Sequence, residues 1–173
     1  MEVTVSYDEL RKGRHSQRHQ VYCVTTVTHD RHPLFADITA VRLLVHELRR
    51  LHENGDVSSL AWVIMPDHLL WLFQLNGSND YCGRMNSTLP LSEVVKTLKA
   101  RSALTINRYR CHSGSLWQRA YYDRAARKDE DIRHIARYII ANPLRAGLVE
   151  NIGDYPHWDC IWITVSYEFY PAE

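Results

Sequence analysis

Three polar side chains follow one another at intervals of four residues late in the chain: His134, Tyr138 and Asn142. Imidazole, phenol and amide groups exchange protons, form hydrogen bonds or coordinate metal ions. Residues four apart share one face of an α-helix, so a helix here carries the three groups as one polar stripe. The same pattern is also typical of a tyrosine at the edge of the core with two polar residues at its rim.

His68 is a second residue whose type could do chemistry, and it stands at the start of an apolar segment, residues 68–75. In a strand, residue 70 shares the face of residue 68, and here it is Leu70, which cannot ligate a metal. Asp67 is expected on the opposite face unless a turn or bulge intervenes. From these residues alone the metal signal is weak, and a histidine with a structural role is the more common case.

Positive charge is concentrated in one part of the chain, although the net charge of the whole protein is only +1. From residue 91 to residue 128, nine cationic side chains are opposed by only two acidic ones. The nine cations are Lys96, Lys99, Arg101, Arg108, Arg110, Arg119, Arg124, Arg127 and Lys128. Such asymmetry indicates a phosphate-binding surface, and a solvated helix face is the alternative.

The elements that must position these groups follow from hydrophobic periodicity and turn residues. Strands are predicted at 20–29, 60–65 and 68–75, and a mostly extended segment at 116–126. The second and third strands could form a hairpin or one bent strand. Helices are predicted at 38–54, from an N-cap at Ser92 to about 109, and from Asp129 to about 141, where Asn142-Pro143 forces a bend. Residues 76–90 are expected to form a loop. This order predicts an α+β sandwich, an antiparallel sheet with helices on one face, in the ferredoxin-like split βαβ plan.

Length and composition describe one globular domain: 173 residues, 45% apolar and 24% charged. We expect a basic N-terminal arm at 1–18, a domain at 19–150 and a tail at 151–173 that packs on that domain. No run is long and apolar enough to span a membrane. The cysteines form no Cys-x-x-Cys pair, which favours reduced thiols in a cytoplasm.

Four segments in the same order resemble those of the REP-associated tyrosine transposases, a bacterial family among the HUH single-strand DNA transposases with a transposase IS200-like domain. The first is YCVT at 22–25 with RHPLF at 31–35, and the second is AWVIMPDH at 61–68. The third is LWQR at 116–119 with YYD at 121–123 and Arg127, and the fourth is IARYIIANP at 135–143 with RAGL at 145–148. Each motif is loose, but four in order are specific.

The resemblance implies a defined chemistry. Tyr138 matches the nucleophile, which attacks a phosphodiester of single-stranded DNA and gives a 5′-phosphotyrosine and a free 3′-hydroxyl. In the family a divalent metal, Mg²⁺ or Mn²⁺, polarises the phosphate. His68 matches the first histidine ligand, and Asn142 matches the polar ligand four residues after the tyrosine. The implied partner is a palindromic DNA hairpin with an adjacent single strand. It is bound by a monomer or homodimer in the bacterial cytoplasm, at the nucleoid, and no membrane partner is implied.

The sequence departs from the family at two positions. Leu70 stands where the family has its second histidine ligand, so a weaker metal site is expected, with Asp67 or His134 as possible replacement ligands. Arg124 stands where many relatives carry histidine.

Two hypotheses follow: a metal-dependent nickase and strand transferase, and a hairpin-binding protein whose cleavage site has decayed. A third, an RNA-binding regulator, requires aromatic residues on adjacent central strands, where the first strand offers only Tyr22.

Overall fold

The computed structural model describes residues 19–76, 89–127 and 131–162, which fold around one five-stranded antiparallel sheet. The strands are β1 Val21–Val27, β2 Val57–Met65, β3 His68–Leu75, β4 Tyr122–Ala125 and β5 Trp158–Cys160. The helices are α1 Ile38–Glu53, α2 Leu91–Tyr109, α3 Ile132–Ile140 and α4 Asn142–Arg145. The predicted arm at 1–18, most of the predicted loop, Lys128 and residues 163–173 of the tail lie outside the described residues.

The order of elements confirms the predicted α+β class. The chain runs β1-α1-β2-β3-α2-β4, and the strands lie side by side in the order β4-β1-β3-β2, which is the split βαβ plan. β5 extends the sheet beyond β2. β2 and β3 are an antiparallel hairpin and not one bent strand, since Met65 pairs with His68 across a turn at Pro66 and Asp67.

Helices cover both faces of the sheet, which corrects the prediction that they lie on one face. Alternate residues of β3 point to opposite sides. Leu69 and Trp71 belong to the core shared with α1 and α2, whereas Leu70 and Leu72 pack in a second core with α3. Because the central strands are apolar on both sides, the far side needs a helical layer of its own. We call the sheet side under α3 the α3 face.

Two helix starts differ from those predicted. α2 begins at Leu91 with a proline in the capping position, so Ser92 lies inside the first turn and is not the N-cap. The backbone of Pro90 is extended, and its carbonyl accepts the backbone N–H groups of Glu93 and Val94 at 2.9 and 3.2 Å. α3 begins at Ile132 and is capped by Asp131, not Asp129; the Asp131 carboxylate accepts a backbone N–H two residues on.

Tyr155 fastens the segment after α4 to the sheet. Its buried hydroxyl donates a hydrogen bond of 2.7 Å to the carbonyl of Ile64, and the Ile64 N–H donates to the carbonyl of His157 at 2.9 Å. Burial raises the pKa of Tyr155 to about 12, because the phenolate would lose its hydration. The start of the predicted tail, with β5, is thus held against β2.

Tyr155→Phe should lower the free energy of unfolding by about 1–3 kcal/mol, because the buried carbonyl of Ile64 loses its donor while the ring packing is kept. Urea unfolding at neutral pH measures the change. Tyr109→Phe, at an exposed tyrosine that ends α2, is the matched control and should shift stability by less than about 0.5 kcal/mol. Equal stability of the two variants would contradict this role for the hydroxyl.

Candidate active site

His68 is the first residue of β3, and its side chain lies on the α3 face because it shares the alternation of Leu70 and Leu72. Its ring nitrogen Nδ1 is 2.6 Å from Oδ1 of Asp67. Asp67 does not point to the opposite side, because it belongs to the β2–β3 turn and not to the strand. The sequence predicted Asp67 on the opposite face unless a turn intervened, and the structure has that turn.

Arg31 completes this group, and sequence reasoning missed it. Its guanidinium donates to Oδ2 of Asp67 at 2.9 Å. The loop before α1 turns through two residues with positive φ, Asp30 at 51° and Arg31 at 53°, an uncommon conformation for non-glycine residues. The neighbouring Thr28 fixes the Asp67 backbone, since its N–H and its hydroxyl both donate to the Asp67 carbonyl at 2.9 Å. In the sequence, only the motif at residues 31–35 pointed to this loop. The contact between Arg31 and Asp67 joins residues 36 positions apart, so no local pattern predicts it.

Both carboxylate oxygens of Asp67 are engaged, one by His68 and one by Arg31. Burial alone would raise the pKa of Asp67. The hydrogen bonds from His68 and Arg31 and the electrostatic attraction to these two partners outweigh that effect, so the pKa lies below its ordinary value of 3.8. A carboxylate held in this way orients the imidazole and directs Nε2 away from it. Asp67 is therefore placed to position His68, and each of its carboxylate oxygens already has a hydrogen-bond partner.

Tyr138 lies on α3 and is 50% exposed. The guanidinium of Arg145, from α4, sits 4.3 Å from the centre of the Tyr138 ring, a cation–π arrangement. The two residues come together because α3 ends at Ile140 and the chain passes through Ala141 directly into α4, whose first turn contains Pro143. The predicted bend at Asn142-Pro143 thus brings an arginine onto the tyrosine.

Asn142 is half-buried and its amide is fixed. Nδ2 donates to the carbonyls of Tyr138 and Ile139 at 2.9 and 3.0 Å, which leaves Oδ1 as the acceptor that the side chain can offer to another group. His134 is exposed one turn before Tyr138. α3 packs against β2, β3 and β5, and α4 against β2, so the helical stripe and His68 belong to the same side of the sheet.

The donor set fits a divalent metal only in part. Within the described ranges, no three His, Cys, Asp or Glu side chains lie close enough to hold an ion. Leu70 lies on the α3 face but packs against the apolar core there. His68 Nε2 and Asn142 Oδ1 remain as the two atoms that can ligate a metal, and neither is a carboxylate oxygen. Hard cations favour charged oxygen ligands, so these two atoms alone make a weak site.

The part of the basic stretch that belongs to α2 does not lie on the side of Tyr138. α2 packs in the other helical layer with α1. Of the predicted phosphate-contacting residues, the exposed ones on or after α2 are Lys96, Arg101, Arg108, Arg110 and Arg119, and those on and after β4 are Arg124 and Arg127. Arg124 faces the α3 side, because it pairs with Cys23, whose own partner is Leu72.

Lys99 has a structural position. Its ammonium donates to three carbonyls in a row, at residues 118, 119 and 120, at 2.6, 3.2 and 3.2 Å. Burial lowers the pKa of Lys99 from its ordinary value. Because an ammonium has three donors, Lys99 ties the segment before β4 to α2, and we remove it from the residues expected to contact phosphate.

Comparison with known proteins shows which family of proteins this chain belongs to. The family model described as transposase IS200 like matches residues 16–142, and the chain belongs to this family. The chain is 25% identical over 119 residues to the REP-associated tyrosine transposase of Escherichia coli (strain K12), covering 68% of this chain and 63% of that protein. It is 27% identical over 121 residues to the putative REP-associated tyrosine transposase of Haemophilus influenzae (strain ATCC 51907 / DSM 11121 / KW20 / Rd), covering 70% and 68%. The match therefore spans less than two thirds of the first relative.

A solved structure shares the fold. It is that of a REP-associated tyrosine transposase bound to a REP hairpin, with a TM-score of 0.65 and 22% identity, covering 84% of this chain and 79% of the other. Among the described residues of the present protein, none of the helices has both the length and the apolar character needed to cross a bilayer.

Asp67→Asn should flatten the acid side of the curve of stability against pH. A folded pKa below the unfolded value means that the carboxylate stabilises the fold above about pH 4, and that this contribution is lost as pH falls through the folded pKa. Urea midpoints at pH 7 and pH 3 should therefore differ less in Asp67→Asn than in the wild type. Asp154→Asn, at an exposed carboxylate, is the control, and an identical loss in Asp67→Asn and wild type would contradict the prediction.

Proposed function

We propose that this protein is a single-strand DNA transposase that binds a palindromic hairpin and cuts the strand beside it through a phosphotyrosine intermediate. The observation that carries the proposal is that Tyr138 on α3 and Asn142 at the start of α4 belong to the helical layer that packs over the sheet side on which His68 lies. Membership of the transposase IS200 like family supports it. A REP-associated tyrosine transposase of similar fold has been solved bound to a REP hairpin, and this parallel supports a hairpin as the partner. A DNA partner implies a location in the bacterial cytoplasm, at the nucleoid.

In this proposal Tyr138 is the nucleophile. Its oxygen attacks the phosphorus of a phosphodiester, the bond from phosphorus to the 3′-oxygen breaks, and the 3′-oxygen takes up a proton as the phenol loses one. The product is a 5′-phosphotyrosine, which keeps the energy of the broken bond and permits rejoining to another 3′-hydroxyl without ATP.

Arg145 and Asn142 have supporting roles. A guanidinium 4.3 Å from the tyrosine ring is well placed to bind the non-bridging oxygens of the phosphate as negative charge grows there. A metal ion, when bound, would polarise the same phosphate. His68 Nε2 and Asn142 Oδ1 are the protein atoms that would hold Mg²⁺ or Mn²⁺, with water and phosphate oxygen as further ligands. Asp67 keeps the His68 ring in place for this contact.

The alternative function is that of a hairpin-binding protein without cleavage. Leu70 is the observation that favours it, because it removes one imidazole ligand and fills the position with a side chain that packs in the core. An RNA-binding regulator has no such support, since Tyr22 is 5% exposed and lies in the core with α1 and α2.

Tyr138→Phe should abolish any covalent adduct and leave hairpin affinity unchanged, because only the nucleophilic oxygen is removed. A labelled hairpin with a 3′ and a 5′ single-stranded extension, incubated with Mn²⁺ and run on a denaturing gel, detects the adduct. Tyr109→Phe, in the other helical layer, is the control and should keep full activity. An adduct that persists in Tyr138→Phe would refute the assignment.

Leu70→His should increase cleavage in Mn²⁺ by roughly 10-fold or more, as expected for one added ligand interaction of over about 1.4 kcal/mol. The side chain already shares the face of His68, so no strand shift is needed. Leu70→Phe is the control, since it introduces a ring without a ligand nitrogen. Circular dichroism and urea unfolding establish that both variants fold, and hairpin affinity without metal should not change. Equal cleavage by wild type and Leu70→His would show that the site needs no second histidine.

Hairpin binding should depend on the exposed cations of α2. Replacing Arg101 and Arg108 by alanine together should make the slope of log affinity against log salt less steep by about 1.4–1.8, from 0.7–0.9 per phosphate contact. Arg133→Ala with Arg137→Ala, two exposed residues of α3, is the matched double variant and should leave the slope as it is. The reverse result would place the hairpin on the α3 side.

A further inference from the structure

Among the described residues, the helices cover only part of the α3 face beside the candidate active site. α3 packs on β2, β3 and β5. β1 and β4 follow beyond β3 in the strand order, towards the β4 edge of the sheet. Cys23 and Thr25 of β1 are only half-buried. Tyr122, on β4, is 72% exposed, the most exposed of the large hydrophobic and aromatic side chains in the described part of the chain.

Strand register fixes where Tyr122 points. Tyr122 is opposite Thr25, and Thr25 is opposite Leu70. Residues directly opposite in an antiparallel pair project to the same side, so Tyr122 lies on the α3 face, in the row of Leu70 and one row from His68. Adjacent strands are about 4.8 Å apart, which puts β4 about 10 Å from β3. Tyr122 thus stands at the rim of the candidate active site.

The charges around Tyr122 suit an anionic ligand. Arg124 projects from the same strand to the same side, and Arg127 is exposed just after it. Asp123, between them in sequence, projects to the opposite side by strand alternation. An exposed aromatic ring with arginines beside it is the arrangement by which proteins hold single-stranded nucleic acid without reading its sequence.

β4 also lies on the route between the two helical layers. It follows directly on residues 118–120, which Lys99 holds against α2. A DNA strand that leaves a hairpin bound at α2 must pass one edge of the sheet to reach Tyr138. β4 is the edge strand that follows the segment held by Lys99, and it places Tyr122 and Arg124 on the α3 face.

We propose that the open part of the α3 face is a binding surface for the single-stranded DNA next to the hairpin, and that one base stacks on Tyr122. This inference rests on the proposed function, since it gives the path by which that substrate reaches Tyr138. The occupant is single-stranded DNA. A second copy of the chain pairing along the β4 edge, or an RNA strand, is an outcome that the experiment distinguishes.

The test measures binding of a hairpin with a single-stranded extension that carries 2-aminopurine at successive positions. Base stacking is worth about 1–3 kcal/mol per base, so Tyr122→Ala should weaken binding of the extended hairpin roughly 5- to 150-fold. Quenching of 2-aminopurine should be lost at one or two positions only. Tyr122→Phe should keep both affinity and quenching, and Tyr109→Ala, on the exposed tyrosine that ends α2, should behave as the wild type. A hairpin without the extension should bind all four proteins equally.

Three results would overturn the inference. One is equal affinity of wild type and Tyr122→Ala for the extended hairpin. Another is tighter binding of an RNA extension than of the DNA extension. The third is a change in molar mass by light scattering in Tyr122→Ala, which would assign the edge to a second copy. If the wild type binds the plain hairpin and the extended one equally and forms no adduct, the proposed function itself fails. Binding with adduct formation but without an effect of Tyr122 rejects only the stacking surface.

Discussion

β3 is buried on both of its faces, and that constraint places every candidate catalytic group. One set of its side chains closes the core with α1 and α2, while the other set requires α3 as a cover. Because α3 is needed on that side, its exposed stripe with Tyr138 is brought to the same side of the sheet as His68. The core between β3 and α3 thus both stabilises the fold and positions the candidate active site. A substitution in this core is therefore expected to affect stability and the geometry of the site together.

The same strand begins at a turn, and the turn explains the environment of His68. Asp67 lies just outside the strand, so the alternation of side chains along β3 does not apply to it and its side chain need not point to the opposite face. It is then caught between His68 and Arg31 at 2.6 and 2.9 Å. A histidine at the end of a buried strand therefore has a fixed ring direction, although the neighbouring residues 66 and 67 are in a turn.

Periodicity was sufficient to predict β1, β2, β3, the three longer helices and the α+β class, because burial imposes a repeat of two on strands and about 3.6 on helices. It did not predict the short edge strand β5, whose three residues are too few to show a repeat. The same rule predicted a shared face for His134, Tyr138 and Asn142, but the helix ends before Asn142, which is the first residue of α4. Periodicity could not predict which sheet face α3 covers, since both faces of the hairpin are apolar and either would accept it. Nor could it find Arg31 or Arg145, because contacts made through loops and a helix break leave no repeat in the sequence. The prediction that Lys99 contacts phosphate was wrong for another reason. Composition shows the charge of this side chain but not the three carbonyls that accept hydrogen bonds from its ammonium.

Position 70 shows how cleavage and DNA binding can separate in this fold. Leucine there adds apolar contact to the α3 core, and burying such a side chain completely contributes about 1.5–3 kcal/mol; Leu70 is half-buried and contributes part of that. Histidine would exchange some of this stability for a metal ligand. The surfaces proposed to hold DNA, α2 in one layer and the β4 edge, make no use of residue 70. On the proposed function, loss of a ligand at this position would weaken cleavage, whereas the fold and the surfaces proposed to bind DNA would be retained. Cleavage and DNA binding would therefore separate at this one position.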